Sequence, residues 1–131
     1  MINVKTIIDV AGALEDNTLK GNYYLYDDNR RGGSLHQGTQ KLATAVKKGD
    51  QIVWTVTSME CEAYADITAI SLPSDICEVK RYTYEGTAIA YWLGTVKEAV
   101  DTLHYSITLN VGAPSFTMTS DNGPRLIKGV A

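Results

Sequence analysis

A strict alternation of apolar and polar residues is the feature of this sequence that most constrains its fold. From Leu103 to Val111 every second residue is apolar, and the residues between them are polar or carry a hydroxyl group. A period of two is what a β-strand shows when one face lies on a core and the other faces solvent. The same pattern recurs at residues 2–10 and 52–59. The chain is therefore predicted to be built from β-strands.

Shorter runs of the same kind predict the remaining strands, and turn-forming residues separate them. The runs lie at residues 23–26, 42–46, 63–69, 77–84, 88–96, 115–119 and 125–130. The Gly49-Asp50 pair predicts a tight turn that joins residues 42–46 and 52–59 as a hairpin. A second turn is predicted at residues 121–124, which read Asp-Asn-Gly-Pro.

Helical patterns are scarce. Residues 95–98, Thr-Val-Lys-Glu, fit a capping box, so a short helix or a turn is predicted within residues 95–103. Residues 11–21 are predicted to be a polar connection. Many short strands separated by turn signals favour an all-β fold, a two-sheet antiparallel β-sandwich that is Ig-like or jelly-roll-like, with at most one short helix.

Size and charge limit the classes of function. A chain of 131 residues and 14.3 kDa has the length of one domain, so residues 1–131 are expected to form a single β-sandwich domain. The net charge of −3 argues against nucleic-acid binding, which depends on neutralising phosphates. No signal-peptide pattern and no membrane-spanning apolar run is present, so we expect a cytoplasmic protein without a membrane partner. Cys61 and Cys77 fit neither a zinc nor a redox spacing, and two buried, reduced thiols are predicted.

Several segments together resemble a known bacterial family. The runs YLYDDNRRGGSLHQGTQKL, KKGDQIVWTVTSM, YADITAI, YWLGTV and HYSITLNV are similar to those of the AidA/PixA inclusion body proteins. The matching positions are Gly38, Thr39 and Leu42 at a strand entry, followed by Gly49, Asp50, Ile52, Trp54, Thr57 and Ser58. The resemblance implies a cytoplasmic β-sandwich without established catalytic residues or cofactor, for which storage, self-assembly or ligand binding are the candidate roles.

The residues themselves give no catalytic constellation. Ser34 and His36 lie close in sequence, but no nucleophile elbow surrounds Ser34. His36 and His104 lack the spacing of metal ligands and are predicted to be surface residues. We therefore expect a non-enzymatic protein with no cofactor and no metal.

Self-association is the first functional hypothesis. The first strand carries only Lys5 and Asp9 as charges, and Ile7 beside Ile8 places an apolar side chain on each of its faces. If that strand lies at a sheet edge, a second copy related by a two-fold axis would cover it, so a homo-oligomer is predicted. The alternative is that another strand or residues 11–21 cover Ile7.

The alternative hypothesis is a small lectin-like module that binds a glycan, with or without calcium. Tyrosine rings suit sugar stacking, and neighbouring carboxylate and amide oxygens suit calcium, although a turn stabilised by its own side chains explains those oxygens better. The candidate ligand-binding residues are Tyr23, Tyr24, Asp27, Asp28, Asn29 and Tyr91.

Overall fold

A computed structural model describes residues 1–87 and 89–130. In chain order the elements are β1 (Ile2–Ile8), α1 (Val10–Asp16), β2 (Tyr23–Asp27), a 3-10 turn (Arg30–Gly32), β3 (Ala43–Val46), β4 (Gln51–Ser58), β5 (Ala65–Ser71), β6 (Cys77–Thr83), β7 (Ala90–Val96), β8 (Thr102–His104), β9 (Ser106–Val111), β10 (Thr117–Thr119) and β11 (Arg125–Lys128). Ala88, the first residue of the predicted strand 88–96, lies outside the described residues. No helix in the described part of the chain has the length and apolar character needed to cross a membrane.

The strands form one large sheet and two small ones, which confirms the all-β prediction. The large sheet has the order β2-β1-β4-β7-β6, and the small sheets have the orders β10-β9-β5 and β3-β11-β8. Their inward side chains meet in one hydrophobic cluster, as expected of a sandwich. Pairing is not wholly antiparallel, because β1 runs parallel to β4 and β3 runs parallel to β11.

The position of β1 corrects one premise of the sequence analysis. β1 is not an edge strand, because β2 and β4 flank it on either side. Ile7 points away from the core and lies half-buried between Tyr24 and Thr57. The strand's exposed apolar residue is therefore part of a sheet face rather than of a sheet edge.

The predicted hairpin between residues 42–46 and 52–59 is wrong in its pairing. The turn forms as expected, with Gly49 at φ 95° and the Asp50 N–H donating to the Lys47 carbonyl at 3.0 Å. The two strands then enter different sheets. All four residues of β3 are buried, and its pairing with β11 supplies the backbone partners that a strand buried on both faces needs.

The last alternating segment is also divided between two sheets. Tyr105 separates β8 from β9, so the strand predicted at residues 103–111 leaves one small sheet and enters the other. The Tyr105 ring turns into the core, where its hydroxyl accepts a hydrogen bond from Trp54 Nε1 at 3.2 Å. The two rings pack edge to face, with centroids 5.9 Å apart.

The helix lies where the sequence predicts a polar connection, and no helix forms within residues 95–103, where a short helix or a turn was predicted. α1 is capped by Asp9, whose Oδ1 accepts the Gly12 N–H at 2.9 Å. Glu60 adds a second cap from a distant loop, because its carboxylate accepts the N–H groups of Val10 and Ala11. After β7, the Lys97 N–H instead donates to the Ile76 carbonyl at 2.7 Å, which continues the pairing with the segment before β6.

Trp54 fills the space that Gly94 leaves. A Cβ atom at Gly94 would lie 2.7 Å from Trp54 Cζ3 and 3.0 Å from the Cys77 sulfur. A glycine in the middle of β7 is otherwise unfavourable, so this close approach accounts for it. Trp54 is fully buried as a result.

We expect Trp54→Ala to lower the free energy of unfolding by about 3–5 kcal/mol, because it removes a large buried ring and the donor to Tyr105. Chemical denaturation measures the change. Met59→Ala is the matched control, since the Met59 side chain is 58% exposed. A loss as small as that of the control would place Trp54 outside the core.

Glu60 links the stability of α1 to pH. The hydrogen bonds from the Ala11 and Val10 N–H groups lower the pKa of the Glu60 carboxyl below its ordinary 4.5. A lowered folded-state pKa contributes stability above pH 4.5, and that stability is lost as pH falls through the folded value. We therefore expect Glu60→Gln to lower the melting temperature at pH 7 and to show a smaller deficit at a pH below 4.5. An equal deficit at both pH values would contradict this account.

Candidate functional site

The six candidate ligand-binding residues do not converge on one place. Tyr23, Tyr24 and Asp27 belong to β2, and Asp28 and Asn29 follow it. Tyr91 belongs to β7, which is three strand positions from β2 in the large sheet. Three strand spacings amount to about 14 Å, so one small ligand does not contact Tyr24 and Tyr91 together.

Tyr23 is a core residue. Its side chain points inward from β2, and its hydroxyl lies 3.4 Å from Asp121 Oδ1. Burial, reinforced by the nearby Asp121 carboxylate, raises the pKa of Tyr23 to about 12. The adjacent Tyr24 points to the opposite face of the sheet and is exposed.

The polar side chains of the loop after β2 are used to hold the loop itself. Asp27 Oδ1 accepts hydrogen bonds from the Asn29 N–H and from Gln37 Nε2. Both oxygens of Asp28 accept from Asn3, through its backbone N–H and its side-chain amide, each at 2.8 Å. Burial alone would raise the pKa of Asp28, but these bonds from Asn3 outweigh it and lower the pKa. The arrangement is that of a stabilised turn.

The candidate calcium ligands make hydrogen bonds within the protein. Asn29 directs its amide nitrogen to the Ala45 carbonyl at 2.7 Å. Within residues 1–87 and 89–130, no three His, Cys, Asp or Glu side chains are grouped so as to hold a metal ion.

The loop protects the edge of β3. Ser34 Oγ accepts the Ala45 N–H at 2.9 Å, and Leu35 exchanges two backbone hydrogen bonds of 2.9 Å with Ala43. These contacts supply partners for backbone groups that an edge strand would otherwise leave open. The Ser34 hydroxyl therefore has a structural role in supporting β3, which differs from the role of a nucleophile.

A later part of the same connection between β2 and β3 protects the edge of β2. The Leu25 N–H donates to the Thr39 carbonyl at 3.2 Å, and the Gly38 N–H donates to the Leu25 carbonyl at 2.7 Å. Gly38 has a φ of 78°, and a Cβ atom there would lie 3.2 Å from the Tyr26 ring. A glycine therefore suits both the backbone and the contact at this position.

The two cysteines differ in environment. Cys77 is buried as predicted, and burial raises the pKa of its thiol to about 11, which keeps it protonated and unreactive. Cys61 is exposed in the turn before β5, so the prediction of two buried thiols is wrong for this residue.

An exposed aromatic group involves two tyrosines that the sequence analysis did not select. The Tyr82 and Tyr91 rings are stacked with centroids 5.6 Å apart, and the Tyr84 ring lies 4.7 Å from that of Tyr91. Tyr82 and Tyr84 are exposed by 41% and 48%. Their spacing of two along β6 is the signal that would have placed both on one face.

These tyrosines belong to a larger surface, which we term the outer face. It consists of the side chains of the large sheet that point away from the core, and most of them are exposed or half-buried. Tyrosine, threonine and aliphatic residues predominate. The members are Tyr24, Tyr26, Asn3, Lys5, Ile7, Val53, Thr55, Thr57, Tyr91, Leu93, Thr95, Glu78, Lys80 and Tyr82.

The fold and the outer face define an all-β sandwich protein with a broad, weakly charged sheet surface. Residues 1–116 match the family described as a domain of unknown function (DUF8788), and the chain belongs to that family.

The fold is also similar to a solved structure. A crystal structure of the inclusion body protein PixA from Burkholderia cenocepacia J2315 superposes with a TM-score of 0.73 at 15% sequence identity, covering 97% of this chain and 93% of that chain. This likeness shows a shared fold, and it confirms the resemblance to the inclusion body proteins. None of the curated proteins gives a significant match.

We expect Ser34→Ala to lower the free energy of unfolding by about 1–3 kcal/mol, because the buried Ala45 N–H loses its acceptor. Ser74→Ala, in an exposed turn, is the control. Equilibrium denaturation of both variants measures the difference. If the two variants are equally stable, the loop does not support β3 through this bond.

Proposed function

We propose that this protein is a non-enzymatic, cytoplasmic protein that associates with itself into a homo-oligomer, in the manner of an inclusion body protein. The observation that carries the proposal is the outer face, whose tyrosine and aliphatic side chains, apart from the buried Val53, are exposed or half-buried. The shared fold with a protein named as an inclusion body protein supports the same role.

The size of the outer face fits this function. Five strands span about 24 Å across the sheet, and the strand lengths give about 20 Å in the other direction. The resulting area is roughly 500 Å², and tyrosine and aliphatic side chains make up about half of the residues that cover it. A surface of this area fits another protein surface better than it fits a small ligand.

The dispersed candidate residues support this function over the lectin-like alternative. Tyr23 lies in the core and Tyr91 lies far from Tyr24, so the six residues do not form the platform that a glycan would need. Asp27 Oδ1 and both oxygens of Asp28 already accept hydrogen bonds from neighbouring residues.

We expect the molar mass in solution to rise with protein concentration. Light scattering coupled to size-exclusion chromatography, from low to high micromolar concentration, measures it. A monomeric mass of 14.3 kDa at every concentration would refute self-association.

A further inference from the structure

We propose that two copies of the chain associate by stacking their outer faces about a two-fold axis that runs parallel to β4. The inference rests on the proposed self-association and identifies the surface and the symmetry that produce it. Two observations support it: several strand edges are protected from pairing, and the outer face is complementary to itself.

Edge-to-edge pairing is disfavoured at the edges of β2, β3 and β6. The β2–β3 connection covers the edges of β2 and β3. The Tyr84 N–H donates to the Ile89 carbonyl, so the backbone groups of every second residue of β6 counted from Tyr84 point toward β7. The backbone groups of Val79, Arg81 and Thr83 therefore point away from β7. This open edge carries Lys80 on the outer face and Arg81 on the inner one, and charges on both faces are a common protection against pairing.

The register of the large sheet arranges the outer face in rows across the strands. In the first row, Lys5 lies between Tyr26 on one side and Thr55 on the other. Tyr91 and Tyr82 form the opposite end of the row as a pair. The β4–β7 register, continued by one residue, places Tyr91 opposite Thr55. The row therefore reads Tyr26, Lys5, Thr55, Tyr91, Tyr82, with Thr55 at its centre.

A second row lies two residues further along the strands. Val53 pairs with Asn3 on one side and with Leu93 on the other, and Leu93 pairs with Lys80. Asp28 ends the row on the far side through its hydrogen bonds with Asn3. A negative charge thus lies at one end of the row and a positive charge at the other, on either side of an uncharged centre.

A two-fold axis along β4 makes both rows self-complementary. Under this rotation, β2 and β1 of one copy face β6 and β7 of the other copy, so the two ends of each row are exchanged. In the first row Tyr26 meets Tyr82 of the second copy, and Lys5 lies over Tyr91 of the second copy, where a cation–π contact forms.

The second row gives charge complementarity under the same operation. Asp28 of each copy faces Lys80 of the other, so the dimer gains two opposite-charge pairs and no like-charge pair in this row. An isologous contact requires this kind of self-matching surface. A partner of different sequence has no such relation to the face.

The buried area allows a weak dimer. Two faces of roughly 500 Å² bury about 1,000 Å² in total, which is the size of a small, transient interface. Stacked sheets lie about 10 Å apart, and this distance accommodates interdigitating tyrosine and threonine side chains.

A charge exchange tests the pairing of Asp28 with Lys80. We expect Asp28→Lys and Lys80→Glu each to raise the dimer dissociation constant about tenfold, because each places like charges opposite one another. The double variant restores opposite charges and should bind about tenfold more tightly than Asp28→Lys alone, because both of these variants lack the hydrogen bonds between Asp28 and Asn3. Lys20→Glu and Asp75→Lys change the same charges at exposed turn positions and should leave association unchanged.

A substitution on the axis provides the second test. Thr55→Lys brings two ammonium groups together at the centre of the interface, and we expect it to abolish the dimer. Circular dichroism and thermal melting confirm that each variant is folded before sedimentation is measured.

The outcomes separate this inference from the function on which it rests. If the wild type is monomeric at all concentrations, self-association itself fails. If the wild type associates but Thr55→Lys associates equally well, or the double exchange binds no more tightly than Asp28→Lys, the outer face is not the interface and self-association stands on another surface.

Discussion

The buried contact between Trp54 and Tyr105 is the constraint on which the rest of the structure depends. Trp54 comes from the central strand of the large sheet, and Tyr105 lies where the chain passes from one small sheet to the other. Their hydrogen bond and edge-to-face packing join all three sheets at one point. Burial raises the pKa of the Tyr105 hydroxyl well above its ordinary range, so this group stays neutral in the core. Gly94 completes the site, because any side chain there would displace the indole.

Most strands could be predicted from the sequence, but their partners could not. Alternation is a local property, and it located the strand that became β4 and the segment that became β8 and β9. Pairing depends on which distant segments meet, and turn chemistry suggested a hairpin where the chain crosses between sheets. α1 was missed because seven residues give too few turns for a helical period, and one of its caps, Glu60, comes from a loop far away in sequence.

The candidate site shows the same limit. Polar residues in the Gly-rich loop could be recognised as loop residues, and they lie after β2 as expected. Their role was not visible, because Asn29 and Ser34 act on Ala45, a residue of another strand. The outer face was missed for a related reason. Each of its rows combines residues from five strands, so a row can be recognised only when the four strand pairings of the large sheet are known.

The parallel pairing of β1 with β4 has a consequence for how the chain reaches this structure. β1 can form its antiparallel ladder with β2 soon after both are available, but its second neighbour lies beyond β3 and the central loops. The pairing of β3 with β11 closes a still longer loop, from Ala43 to Arg125. Closing long loops costs chain entropy before any contact compensates for it, so proteins rich in such pairs fold slowly. During that interval the apolar edges of β1 and β3 are unpaired. The concentration at which the chain is synthesised therefore affects whether these edges find their own partners or those of a neighbouring molecule.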